Sequence, residues 1–453
     1  MSLAGRRVAV AGMGRSGIAV TEAAVRRGAK VSLLDEKSAE TPKALDTVER
    51  LSGLGVEVLT GWHGRLSPED CDLFVPSPGF RRTHPALLDA TSHGIPVWSE
   101  VEFAFRIAQA PIVAITGTNG KSTTTVMTWL ALKAAGVEAH LCGNISGSGF
   151  PERTLTEAAE VAAWDEVLVA EISSFQLEWV EELRPKVASI LNVTPDHLDR
   201  HPSFEDYRAT KLRLIARMTP ADVVIWNAAE PSVPRELLQT AARLVAVPDP
   251  EGVWFSDQAV GIGSVEGALK EFQVVGSHQR SNAMVALAMA QAILRSEDRE
   301  AHARMIAAVQ QMPGLDHRMR LLGSKNGVQF VNNSMCTNPG AVLASAKAIP
   351  GRKVLLMGGL MKGLDFGSVR EFFADSPDRV VFFSDHADAL AEAVGRPGEP
   401  KFASLDEAFS HAAKLAGQGD TVMLAPGCAS AEPYANFRER GEAFEAMVKE
   451  WLA

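Results

Sequence analysis

The residues best equipped for chemistry lie together at Thr116-Gly117-Thr118-Asn119-Gly120-Lys121-Ser122-Thr123, directly after an apolar run over 112–115. A glycine-rich turn between a strand and a helix lets backbone N–H groups of Gly117, Thr118, Asn119 and Gly120 converge on phosphate oxygens. The helix that follows presents its positive N-terminal dipole to the same anion. Lys121 is placed to reach the β- and γ-phosphates of a nucleoside triphosphate, and the hydroxyl of Ser122 or Thr123 to ligate Mg2+. A plain strand–turn–helix connection leaves the Gly-Lys-Ser-Thr sequence unexplained. The first glycine of a strict Walker loop is absent, because its place holds Ile115.

Two further clusters carry ligand chemistry. Glu171 ends an apolar run over 167–170, and an acid at the C-terminal end of a strand beside a phosphate loop can hold Mg2+ directly or through water. Asn192-Val193-Thr194-Pro195-Asp196-His197-Leu198-Asp199-Arg200-His201 then packs histidines and acids after another strand, and Tyr207-Arg208-Ala209-Thr210-Lys211 follows. Near the start, Gly12-Met13-Gly14-Arg15-Ser16-Gly17 follows a strand and opens a helix, with Asp35 at the end of the next strand. On its own this pattern fits a dinucleotide such as NAD(P), where the glycines allow close approach to a pyrophosphate and the acid meets a ribose.

These residues need a scaffold of parallel sheets. Short β-branched runs recur at 8–11, 31–34, 73–75, 112–116, 167–172, 187–192, 223–227, 353–357, 379–384 and 421–425, each followed by helical patterning. Strands alternating with helices imply βαβ units and an α/β fold. A chain of 453 residues exceeds what one core supports, and about three domains are expected. Ala108-Gln109-Ala110-Pro111 and Met312-Pro313-Gly314-Leu315 read as boundaries, which divides the chain into 1–109, 110–314 and 315–453.

Composition narrows the partners. The formal net charge is −10 with no clustered Lys/Arg run, which argues against nucleic acid as the main partner. Four scattered cysteines read as reduced thiols. No apolar stretch approaches the ~20 residues of a membrane helix, and a cytoplasmic enzyme without membrane insertion is expected.

Glu171-Ile172-Ser173-Ser174-Phe175-Gln176-Leu177-Glu178, Asn192-Val193-Thr194-Pro195-Asp196-His197-Leu198-Asp199-Arg200 and Tyr207-Arg208-Ala209-Thr210-Lys211 resemble the Mur ligase family, in particular its glutamate-adding branch. The resemblance runs from Gly12 to about Gly441. It implies three domains: a Rossmann-like N-terminal domain for the UDP substrate, a central P-loop ATPase-type domain and a Rossmann-like C-terminal domain for the amino acid. It implies ATP-dependent addition of glutamate, most simply D-glutamate, to UDP-N-acetylmuramoyl-L-alanine through an acyl phosphate, by a monomer. It also implies two Mg2+ ions. Ser122 and Glu171 would hold one; His197 and a Lys211 carbamylated by CO2 would hold the other.

By the same resemblance, Asn282, Arg318 and Asn333 belong with Lys121 to the ATP site. Gly14, Arg15, Ser16, Asp35, Ser77, Pro78, Gly79, Asn144, Ser173 and Gln176 belong to the UDP-substrate site, and Thr337, Lys362, Ser430 and Phe437 to the glutamate site. The chain departs from the family at Asn333 and Met335, where Asp and Lys are common. A lysine restored at 335 is therefore expected to tighten glutamate binding. Rival readings are a related ligase for L-glutamate or another amino acid, an NAD-dependent oxidoreductase that leaves the phosphate loop unexplained, and an inactive nucleotide-binding scaffold.

Overall fold

The computed structural model describes every residue except Asp199, Asp257, Lys270, Glu271, residues 273–277 and Lys362. The chain forms two compact units, Met1–Gly267 with Asn282–Val309, and Ala268–Ser281 with Gln310–Ala453.

In the first unit, the N-terminal segment builds a four-stranded parallel sheet. Its order is Glu57–Thr60, Lys30–Asp35, Arg7–Ala11, Leu73–Pro76. The Arg15–Arg26 helix packs so tightly on its leading turn that a Cβ at Gly17 would lie 1.9 Å from the Gly12 carbonyl oxygen. Only glycine allows that approach.

The same unit contains a seven-stranded parallel sheet. Its order is Arg243–Val247, Val223–Asn227, Val187–Ile190, Ile112–Thr116, Val167–Glu171, Ala139–Gly143, Glu152–Arg153. Ile112–Thr116 sits mid-sheet and is buried along its whole length, as a parallel strand covered on both faces must be. Register then determines what meets at the C-terminal edge: Ile115 pairs with Glu171, and Glu171 with Gly143. One continuous core runs through both sheets' packing helices and includes Val101, Phe103 and Ala104 of the Glu100–Ile107 helix. A small antiparallel sheet, outside the parallel pattern expected from sequence, pairs Val253–Phe255 with Ala259–Ile262. Trp254 braces it by donating to the Gly263 carbonyl at 2.7 Å.

The second unit is built on a six-stranded sheet, ordered Arg320–Lys325, Val328–Asn332, Thr421–Gly427, Lys353–Gly358, Arg379–Phe383, Lys401–Phe402. All its pairs are parallel except the first, an antiparallel hairpin over Asn326 and Gly327, both at positive φ. Apolar clusters cover both faces.

Candidate active site

The phosphate loop owes its shape to two glycines and one asparagine pair. Gly117 (φ +157) and Gly120 (φ +82) take backbone conformations that side chains disfavour, and Gly120 caps the Lys121–Ala134 helix. Asn192 braces the loop from the neighbouring strand end. Its Oδ1 accepts the Asn119 N–H at 2.8 Å, its Nδ2 donates to the Asn119 carbonyl at 3.2 Å, and its own carbonyl accepts the Thr118 N–H at 2.9 Å. Asn282 stands against the same turn, with its Oδ1 2.6 Å from where a Gly120 Cβ would be. Lys121 Nζ donates to the Thr118 carbonyl at 2.9 Å, which holds the ammonium over the loop.

The strand register brings the expected ligands to that loop. Ser122 Oγ donates to Glu171 Oε2 at 2.5 Å, and Asn144 Nδ2 to Glu171 Oε1 at 3.0 Å. A hydroxyl and a carboxylate converging at a helix N-terminus beside a phosphate loop are the hard oxygen donors Mg2+ prefers, so this pair fits the ion. The Thr116 hydroxyl, at the end of the same strand, is buried with no hydrogen-bond partner.

Lys211 comes from the other side, on the Phe204–Leu212 helix. It is 1 % exposed, and its Nζ donates to the Gly117 carbonyl at 2.8 Å. Burial, and secondarily the Lys121 charge, pull its pKa down to about 7. Tyr207 lies beside Lys211, at 4.7 Å from ring centroid to Nζ, and its hydroxyl meets Thr118 Oγ1 at 3.1 Å. His197 faces the same Tyr207 ring at 6.4 Å but sits on an exposed segment, at φ +53, with Asp196 as its ion-pair neighbour. Among the described residues no three His, Cys, Asp or Glu side chains gather into a ready metal cage. An unmodified lysine offers no oxygen ligand, and Lys211 and His197 meet here only around the Tyr207 ring.

Of the expected nucleotide-sugar residues, Gly14, Arg15, Ser16, Asp35 and the Ser77–Gly79 turn lie at or just after strand ends of the N-terminal sheet, whereas Asn144, Ser173 and Gln176 follow strands of the seven-stranded sheet. Asp35 Oδ2 accepts the Met13 N–H at 2.5 Å, which fixes the glycine loop from within. Gly14 caps the first helix, Arg15 reaches Glu152 at 3.9 Å, and Ser16 is half-buried. The turn Ser77-Pro78-Gly79 lies alongside, and a Cβ at Gly12 would stand 2.7 Å from Ser77 Oγ. Ser173 and Gln176 form a reciprocal capping box on Ser174–Leu177, and Gln176 Nε2 also meets the buried Glu100 at 3.5 Å. Their side chains are therefore already engaged in shaping the turn after Glu171.

In the second unit, Thr337 and Ser430 follow strand ends on one sheet edge, and Ser430 Oγ is buried without a partner. Phe437 opens the last helix and packs edge-on against His317 at 6.2 Å. Lys362 lies outside the described residues. Arg440, 1 % exposed, ties the strand-end loops together by donating to Ser334 Oγ and O at 3.1 and 2.9 Å and to the Cys428 carbonyl at 3.4 Å. Asn333 is occupied structurally, its Oδ1 accepting the Met319 N–H at 3.2 Å. Arg318 Nη2 donates to the Met335 sulfur at 2.9 Å.

Three family descriptions cover most of the chain. "Mur ligase MurD-like, N-terminal domain" matches residues 6–99, "Mur ligase middle domain" 115–290, and "Mur ligase, glutamate ligase domain" 317–428. Relatives named UDP-N-acetylmuramoylalanine–D-glutamate ligase match over almost their full length. The one from Pelotomaculum thermopropionicum is 35 % identical over 98 % of this chain and 97 % of its own; that from Anaeromyxobacter dehalogenans is 36 % identical over 99 % and 98 %. The chain belongs to the Mur ligase family. Solved Mur ligase structures share the fold at low identity. UDP-N-acetylmuramate-alanine ligase MurC from Thermotoga maritima aligns with TM-score 0.57 at 18 % identity, over 98 % of this chain and 100 % of its own. MurF from Acinetobacter baumannii aligns with TM-score 0.58 at 17 % identity, over 94 % and 92 %.

Sequence reasoning missed two residues that shape the phosphate-loop edge of this Mur ligase. Asn192, the brace of the phosphate loop, was visible only as the first residue of a motif. Gly143 was hidden as well: at φ +93 its missing Cβ makes room for the Glu171 carbonyl, which would otherwise lie 2.2 Å away. A glycine ending a strand just before Asn144 was the available signal.

Proposed function

We propose that this Mur ligase joins D-glutamate to UDP-N-acetylmuramoyl-L-alanine while cleaving ATP to ADP and phosphate, a step of peptidoglycan precursor synthesis. The geometric support is the convergence of Ser122, Glu171 and Lys211 on one phosphate loop, with Lys211 bonded to the Gly117 carbonyl. The names of the full-length relatives supply the amino acid.

In the first step the muramoyl-alanine carboxylate oxygen bonds to the γ-phosphorus as the bond to ADP breaks. In the second, the glutamate nitrogen, having lost a proton, bonds to the acyl carbon and phosphate leaves. Backbone N–H groups of 117–120 and Lys121 hold the triphosphate and stabilise charge on the transferring group. Asn144 orients Glu171, which with Ser122 would hold Mg2+. Bound Mg2+ offsets the triphosphate's negative charge so that a carboxylate can approach. A pKa near 7 leaves a fraction of Lys211 as free amine. That amine can bond to the carbon of CO2 and release a proton, leaving a carbamate with two oxygens for a metal shared with His197. Asn282, whose Oδ1 stands against the Gly120 turn, would join the same ATP site.

The segment 1–109 takes the UDP moiety through Gly14–Ser16, Asp35 and Ser77–Gly79, and 110–314 takes ATP. The segment 315–453 takes glutamate through Thr337, Lys362, Ser430 and Phe437, and the unpartnered Ser430 hydroxyl suits a carboxylate there. No helix among the described residues is long and apolar enough to cross a membrane, and a cytoplasmic monomer is the setting in which these substrates meet.

Phosphate release with ATP, Mg2+ and UDP-N-acetylmuramoyl-L-alanine tests the reading. D-Glutamate is expected to support turnover at least ~100-fold better than L-glutamate, since one stereocentre decides whether several polar groups are paired. Turnover with L-glutamate alone would overturn the stereochemistry proposed.

Met335 also bears on ATP: its sulfur receives Arg318 Nη2 at 2.9 Å, so a lysine at 335 would face the Arg318 guanidinium. Met335→Lys is therefore expected to raise the KM for ATP about fivefold, roughly 1 kcal/mol, with the glutamate KM little changed. A lower glutamate KM in steady-state assays restores the original expectation.

A further inference from the structure

His197 holds an unusual backbone conformation in an exposed stretch, residues 194–198. A non-glycine residue at φ +53 stays there only where its surroundings over-determine it. What fixes it is the next turn: Arg200 and His201 donate their N–H groups to the His197 carbonyl at 3.0 and 2.9 Å. Both anchors are buried. The Arg200 side chain is 7 % exposed and that of His201 0 %.

Arg200 does not end within its own sheet. Its Nη1 donates to the Pro78 carbonyl at 2.5 Å and its Nη2 to the Phe80 carbonyl at 2.8 Å, the two carbonyls that flank Gly79. The other side of the fork takes Glu178, at 3.0 and 2.7 Å, and the guanidinium lies 4.1 Å over the Phe175 ring. That planar fork is a geometry lysine cannot reproduce. Arg82, just past the same turn, crosses the other way. Its Nη1 reaches both Asp206 oxygens at 2.9 and 3.1 Å, and its Nη2 reaches Thr210 Oγ1 at 2.9 Å, one residue before Lys211.

We infer that Arg200 and Arg82 are positioning residues that join the Ser77–Gly79 turn to His197 and Lys211, so that nucleotide bound at the turn orders the metal end of the site. The inference rests on the reading that this turn takes a uridine diphosphate. Filling the turn restrains the Pro78 and Phe80 carbonyls, these restrain Arg200, and Arg200 restrains the His197 turn. Arg82 carries the same restraint to the helix bearing Lys211. By linkage, whatever later binds at His197 and Lys211 tightens nucleotide binding by the same factor.

Hydrogen exchange of the full chain, saturated with uridine diphosphate as judged by calorimetry, tests this. The probe lacks the muramoyl and peptide parts of the substrate. In the wild type, amides of 197–212 should exchange about fivefold or more slowly with the probe bound. In Arg200→Lys and in Arg82→Lys, each also saturated, that slowing should vanish while slowing at 12–17 persists. Exchange in Ile112–Thr116 and Val167–Glu171 should match the wild type, which shows the sheet is intact. Slowing at 197–212 that survives both substitutions overturns the inference, as does its absence in a wild type that binds the probe. A wild type that binds no uridine diphosphate strikes the functional reading instead.

Discussion

Lys211→Ala is expected to lower turnover on the order of a thousandfold, the scale of losing one preorganised electrostatic group at a transferring phosphoryl. Added acetate or another short carboxylate should restore part of it by occupying the volume of the missing carbamate. Full activity in the alanine variant ends the carbamate reading. The variant should not be an unstable protein, and the sign of the titration says why. Burial depresses the Lys211 pKa to about 7 from its ordinary 10.5. Between those values the unfolded chain binds a proton that the folded chain does not, so stability rises with pH across the window. Below pH 7 the folded protein carries the whole desolvation penalty, and above 10.5 none. Removing the amine removes that penalty, so Lys211→Ala should melt no lower than the wild type at pH 6. A large loss of melting temperature at that pH would assign the lysine a structural role.

Gly143→Ala should be a severely damaging single-methyl change beside the phosphate loop. Its Cβ would meet a backbone oxygen at 2.2 Å, at a φ of +93 that alanine disfavours, and neither strand can retreat without breaking the register that aligns Gly143 with Glu171. A stability loss of roughly 3–5 kcal/mol is expected, in the range reserved for backbone strain and overpacking. Because Glu171 would shift away from Ser122, activity should fall even where the variant still folds. Gly53→Ala is the control: nothing lies within 4 Å of the added methyl, at the end of the Pro42–Gly53 helix. Denaturation curves that leave the two variants alike would refute the assigned clash.

Much of the scaffold was legible because parallel strands buried on both faces are written as short apolar runs. Val167–Glu171 and Lys353–Gly358 are examples. Ala139–Gly143, with its histidine and cysteine, was not legible, since its strand state comes from pairing with Val167–Glu171 and not from its own propensity. At the site, the meeting of Ser122 with Glu171 was implied by the family resemblance, and the register of Ile112–Thr116 with Val167–Glu171 produces it. Other features follow from tertiary partners that no local pattern encodes. Asp35 binds the backbone of its own glycine loop, Ser173 and Gln176 cap each other, and the Met335 sulfur receives Arg318.

The mutual amide pairing of Asn119 and Asn192 has a consequence for the thermodynamics of nucleotide capture. Restricting one backbone residue to a single conformation costs about 1–2 kcal/mol in entropy. A loop that folded around phosphate only on contact would subtract that amount, for each residue ordered, from its affinity. Here the Asn192 side-chain amide holds both the backbone N–H and the backbone carbonyl of Asn119 across the loop, and Thr118 is held from the same strand end. The ordering is thus complete when the sheet folds, and ATP meets N–H groups that already converge. Loosening the clamp with Asn192→Ala should appear chiefly as a more unfavourable binding entropy in calorimetry, with the chemistry of the bound triphosphate largely intact.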